Sequence, residues 1–72
     1  MNRDQFNKSF LAKVLFKRNK DGKLFKVVSV IPLTEEHIFL VKYKNLKENG
    51  KLGRKRFKDL ISFCKTFENI ET

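Results

Sequence analysis

Apolar and polar residues alternate over residues 10–17. Phe10, Ala12, Val14 and Phe16 share one phase, and Leu11, Lys13, Leu15 and Lys17 share the other. A period of two predicts a strand. The segment KRNKDGKLF at 17–25 follows, and its Asn19-Lys20-Asp21-Gly22 suits a type I turn closed by a left-handed glycine. Beyond it, KLFKVVSVI at 23–31 is rich in β-branched residues. The pattern therefore predicts a hairpin with strands over about 9–17 and 23–31. Helical spacing competes for the first of them. Phe6, Phe10, Leu11, Val14 and Leu15 also fit one side of a helix with Asp4 as N-cap. The hairpin turn favours the strand for 10–17, and a short helix at 3–8 stays open.

Pro32 predicts the end of the second strand, because proline cannot donate to a ladder. Thr34, Glu35 and Glu36 read as a polar turn. HIFLVKYK at 37–44 then reads as a third strand. One side of it carries Phe39, Val41 and Tyr43. The other begins with Ile38 and Leu40 and switches to Lys42 and Lys44. Residues 45–53 look like an exposed loop with Gly50 and Gly53 as turn residues, and 54–57 like a short fourth strand. Asp59 is placed to cap a helix from Leu60 to about Asn69, with Leu60, Phe63, Cys64 and Phe67 on one stripe. The expected fold is α+β and mainly β: a small curved antiparallel sheet or half-barrel of three to four strands, then a C-terminal helix. That helix covers one side of the sheet and leaves the other open.

Composition sharpens this outline. Seventy-two residues suggest one domain with a marginal core, since a chain this short buries only about 60% of its unfolded surface. One cysteine, Cys64, supplies no disulfide framework, and no Cys/His cluster suggests structural zinc. Eight phenylalanines must carry the core, or a second copy must help, so a homodimer is plausible. The N-terminus lacks the apolar run of a signal peptide, and no stretch is apolar enough to span a membrane. A lone cysteine fits a reducing compartment, and the expectation is a cytoplasmic protein.

Charge changes the picture most. The formal net charge is +9. Residues 42–58 hold eight Lys/Arg against Glu48 alone, a local net of +7. Such an imbalance speaks about partners, with DNA, RNA or an anionic surface as candidates.

Catalytic chemistry does not assemble from these residues. His37 is the single histidine and reads as a surface or edge residue. Cys64 lies on the apolar stripe without an activating neighbour. Glu35 and Glu36 are adjacent and point apart in extended backbone, poor geometry for an acid–base pair. No phosphate-cradling glycine motif is present. The expectation is a non-enzymatic protein with no cofactor, no metal and no small-molecule substrate.

The stretch VKYKNLKENGKLGRKRFK offers binding chemistry instead. Lys42, Lys44, Lys47, Lys51, Lys55 and Lys58 can neutralise phosphates and release counterions. Arg54 and Arg56 can fork to a phosphate or a base edge. Tyr43 and Phe57 sit within this basic stretch and could stack on bases or serve the core. A lysine-rich strand and loop also fits a merely solvated surface. The near absence of acid in the segment, and its adjacent glycines, count against that.

Three stretches together carry a family resemblance: GKLFKVVSV at 22–30, HIFLVKYK at 37–44, and GKLGRKRF at 50–57 with the helix after it. Over roughly residues 22–70 the chain resembles the single-stranded-DNA-binding domain of the positive-cofactor-four type of transcriptional coactivator. That resemblance implies a curved sheet presenting basic and aromatic residues to single strands, a helix that mediates dimerisation, and a role in transcription. It would make Lys42, Lys44, Lys55, Arg54 and Arg56 DNA contacts. Arg56 stands where that family has glycine, and the strand before the helix is shorter. The outline is also similar to the small basic archaeal chromatin proteins of Src-homology-like barrel fold, and to the arm-binding domains of tyrosine recombinases. The leading expectation is a nucleic-acid-binding module with little sequence specificity. The alternatives are a phage- or plasmid-encoded inhibitor docking on an acidic host protein, and a small basic nuclease or toxin.

Overall fold

Asn2 starts the first helix of the computed structural model, which describes residues 1–33 and 38–70. Its side chain accepts from the Gln5 N–H at 2.8 Å, and Gln5 Oε1 accepts from the Asn2 N–H at 2.9 Å. This reciprocal capping box opens α1 (Arg3–Leu11). Asp4 is therefore not the cap but a first-turn acid. The helix buries Phe6 and Ser9 and stacks Phe10 on Phe6 at 6.1 Å. A strand over 9–17 is thus corrected: only Phe16–Arg18 (β1) is strand. The helix stops in a Schellman motif. Lys13 adopts φ 59, the Lys13 N–H donates to Phe10 O at 3.1 Å, and the Val14 N–H donates to Ser9 O at 2.9 Å.

The turn over 19–22 forms as the sequence predicts. Gly22 takes φ 71 and donates its N–H to Arg18 O at 2.8 Å. Three antiparallel strands follow: β2 (Leu24–Leu33), β3 (Ile38–Leu46) and β4 (Leu52–Asp59). Strand β2 continues through Pro32, contrary to expectation. Its pairing with β1 involves only Leu24 and Phe25, so the rest of β2 has a single neighbour, where proline is tolerated. The loop expected over 45–53 shrinks to 47–51, closed by Gly50 at φ 83 and by the Lys47 N–H to Lys51 O at 2.8 Å. Gly53 is a β4 residue rather than a turn residue; a Cβ there would overlap the Asn45 side chain. The turn expected at 34–36, and His37, lie outside the described residues.

Asp59 caps α2 (Leu60–Thr66), as its position predicts, accepting from the Ser62 N–H at 3.0 Å. The helix ends three residues earlier than expected. Phe67 is extended, and Phe67–Asn69 forms β5, antiparallel to β1, with Arg18 opposite Phe67 and Phe16 opposite Asn69. The result is a mainly β α+β fold in which the described residues form five strands in the order β4-β3-β2-β1-β5.

That order requires a curved sheet. Five flat strands would put β4 and β5 about 19 Å apart. Yet α2 alone joins them, and seven helical residues reach only about 10 Å. The edges must curl towards each other. Rings meet across the curl: Tyr43 of β3 and Phe67 of β5 are three strand positions apart, with centroids 5.3 Å apart. Irregularities between Val27 and Ser29 in β2, and opposite Lys44–Leu46 in β4, help the strands bend.

The inner side of the curl holds one core. Phe6, Phe16, Phe25, Val27, Val41, Tyr43, Leu60, Phe63 and Phe67 are buried. Phe63 stacks on Phe67 at 4.2 Å and meets Phe6 and Phe16 edge-on. Aromatic mass therefore supplies the core of this short chain. Both helices pack through these rings, so both occupy the inner side and leave the outer side of β2–β4 without a helix.

Candidate nucleic-acid interface

Directly paired residues in an antiparallel ladder project to the same side of the sheet. Register therefore sorts the candidate residues. Lys26 of β2 pairs with Lys44 of β3, and Lys44 pairs with Lys55 of β4. Three lysines thus form one row across three strands. In the next row Ser29 pairs with Lys42, and Lys42 with Phe57. In the next Ile31 pairs with Leu40, and Leu40 with Asp59; Leu33 and Ile38 close the series. The opposite phase holds Val27, Tyr43 and Arg56 in one row, and Val30, Val41 and Lys58 in another. Buried Val27, Val41 and Tyr43 identify that phase as the inner side. The outer side is thus basic at one end and apolar at the other.

The nine candidates do not share one surface. Lys42, Lys44 and Lys55 lie on the outer side. Lys47 and Lys51 are exposed in the β3–β4 turn, continuing the basic end. Arg54 is exposed beside the β4 irregularity. Arg56 and Lys58 project inward from an edge strand. Tyr43 is the clear correction: it is only 5% exposed and packs edge-on against Phe25, Phe63 and Phe67, so its ring offers no open face to a base. Phe57 has the opposite character. It is 47% exposed, the one phenylalanine among the exposed large hydrophobics, and lies beside Lys42.

Lys26 escapes a reading that looks for charge runs, because it stands alone among apolar residues. Its phase was the available signal: it alternates with Phe25 and Val27, both of which face the core.

Among the described residues the outer lysines form no ion pair. Among the described residues one ion pair forms, between Arg18 and Asp21 at 2.7 Å. Asp59, in the adjoining part of the ladder, is engaged by the Ser62 N–H, which lowers its carboxyl below the usual range. Like charges placed directly opposite each other in a ladder are destabilising, and the Lys26–Lys44–Lys55 row carries that repulsion in the free protein. Six outer or turn lysines, Lys26, Lys42, Lys44, Lys55, Lys47 and Lys51, with the exposed Phe57 ring at their border, have the chemistry to bind phosphates and stack one base.

The remaining reactive groups are placed differently. Cys64 is partly buried against the core, and burial pushes its thiol up. Among the described residues no group of three His, Cys, Asp or Glu side chains could hold a metal ion. No helix among them is long and apolar enough to cross a membrane. Comparison with known protein families, curated proteins and solved structures gives no match.

Proposed function

We propose that this chain is a non-enzymatic nucleic-acid-binding module that holds a phosphate backbone on the outer side of its sheet. The observation that carries this reading is the in-register row Lys26–Lys44–Lys55, flanked by Lys42 and exposed Phe57. Phosphates screen the row, release counterions and convert a destabilising arrangement into binding energy. Lys47 and Lys51 extend the track, and Arg54 adds a forked donor at its end. The lysines make no fixed base-edge geometry, so affinity follows charge rather than sequence. A cytoplasmic setting and a part in transcription belong to the same proposal.

The test is a titration of single-stranded and duplex DNA and RNA at several salt concentrations. Wild-type log K falls with log salt at a slope of roughly −3 to −4, as four neutralised phosphates require. Lys44→Glu with Lys55→Glu abolishes binding while the circular-dichroism spectrum is retained. Unchanged affinity in the folded double variant overturns the reading.

A second reading rests on the apolar end of the same side. Ile31, Leu33 and Ile38 are each about two-fifths exposed, and Ile61 of α2 is 71% exposed. A protein partner, or a second copy of the chain, would cover these residues. Binding that survives about 0.5 M salt favours this reading, because phosphate contacts are screened there.

A further inference from the structure

The cations that the outer side leaves out converge elsewhere. Where the curled sheet brings β4 towards α2 and the β1–β2 turn, a cavity of about 360 Å³ is lined by Arg18, Lys20, Arg56, Lys58 and Lys65 over a floor of Tyr43 and Phe67. Among the described residues no carboxylate lines it. The nearby Asp21 is already held by Arg18, with Nε to Oδ1 at 3.1 Å and a terminal guanidinium nitrogen to Oδ2 at 2.7 Å. We infer that this gap between the sheet edges is a second anion site, built for an oligophosphate and separate from the outer lysine row.

Several features set the gap apart from scattered surface charge. Arg18 is itself neutralised by Asp21, and the other four cations, Lys20, Arg56, Lys58 and Lys65, come from the β1–β2 turn, β4 and α2. Charges that merely guard an edge strand would sit on β4 or β5. The rim is also braced. The Asn19 N–H donates to Thr66 O at 2.9 Å, and Asn19 Nδ2 donates to Lys65 O at 3.3 Å. The Thr66 hydroxyl donates to Ser62 O at 2.9 Å. The two Asn19 bonds fasten the turn to the end of α2 and engage the Thr66 and Lys65 carbonyls at the rim.

The floor decides the ligand chemistry. Tyr43 and Phe67 are buried, at 5% and 1% exposure, and offer no ring for stacking. Recognition is therefore of phosphate, not of a base. The volume lies at the small end for ligand pockets, which run to about 1,000 Å³, and fits two or three linked phosphates. Such a group could belong to a free polyphosphate or to a nucleic-acid backbone bending over β4 from the outer side. The second source rests on the proposed nucleic-acid reading; the first does not.

The experiment compares two variants of equal charge change by calorimetry. One carries Arg56→Gln with Lys65→Gln in the gap. The other carries Lys44→Gln with Lys55→Gln on the outer side. Tripolyphosphate affinity falls about tenfold or more in the gap variant and stays within about twofold in the outer variant, although both lose two charges. Equal losses in the two variants, or no binding by the wild type, overturn the inference. A single strand of about fifteen nucleotides identifies the source. A matching loss for it in the gap variant assigns the site to a bending strand, and retention assigns it to free polyphosphate. Tripolyphosphate binding in a wild type that takes no nucleic acid would keep this site and remove the outer-side reading.

Discussion

Lys44 lies directly opposite Lys55 across the β3–β4 ladder, with Lys26 opposite Lys44 on its other side. Cross-strand pairs are worth roughly 0.2–1 kcal/mol, and like charges in that position are destabilising. The free protein thus carries a penalty where the ligand is expected. Lys55→Glu creates an opposite-charge pair with Lys44. It raises stability by a few tenths to about 1 kcal/mol in urea denaturation while it weakens DNA and RNA binding at least tenfold. A variant that loses both stability and binding would instead make Lys55 a structural residue.

Two aromatics of the basic stretch separate by burial. Phe57 is half-exposed beside Lys42, whereas Tyr43 packs against three rings of the core. Phe57→Ala costs about 1–3 kcal/mol of single-strand binding, the value of one stacked base, with little change in melting temperature. Tyr43→Ala costs about 3–5 kcal/mol of folding stability, as large core truncations do. Thermal denaturation and fluorescence anisotropy of the two variants check this inverse pattern.

The end of α1 and the extent of α2 show what the sequence could tell. Asp59 announced its helix because a cap acts locally, on Ser62 three residues on. The β1–β2 turn was equally legible, because Gly22 needs φ above zero. The other helix boundaries were hidden. Nothing marks Lys13 as a left-handed stop, so Phe10–Phe16 reads as alternation although the helix runs into it through Leu11 and β1 begins only at Phe16. Phe67 continues the α2 stripe, but pairing with Arg18 draws it into β5, a contact 49 positions away that no local pattern encodes. The candidate site was legible as a charge total. Its division into an outer row and an inner gap depends on ladder register and on the curl of the sheet.

Lys13 itself yields a test. A non-glycine residue in the left-handed region costs about 1–2 kcal/mol. Lys13→Gly removes this strain at the Schellman position and loses some of the gain to unfolded-chain entropy. The net expectation is a gain of about 0.5–1 kcal/mol, measured by chemical denaturation. A loss of stability would mean that the Lys13 side chain does more in α1 than end it.

Gly53 has the opposite requirement. Its backbone lies against the Asn45 side chain, so the methyl group of Gly53→Ala must displace the Asn45 amide. Overpacking of this kind costs about 1–3 kcal/mol. Asn45→Ala added to Gly53→Ala removes the obstructing amide and recovers most of the loss. Equal stability of the single and double variants would show that the clash is relieved by other means.

The Arg18–Asp21 pair gives the fold a pH dependence with a definite sign. The forked bond from Arg18, assisted by the Lys23 N–H, lowers the Asp21 carboxyl to about 2. A carboxyl whose value is depressed on folding stabilises the fold above its unfolded value, near 4. That contribution declines as pH falls from about 4 towards 2 and is gone below both values. Asp21→Asn therefore differs from wild type by a constant amount between pH 5 and 8, and the difference closes on acidification. Carbon-detected NMR of the Asp21 carboxyl reads the same event directly. It titrates near 2 in the wild type and returns towards the ordinary range in Arg18→Gln. A wild-type midpoint already in the ordinary range would mean that the pair does not persist in solution, and the braced rim of the gap would lose one of its fixed points.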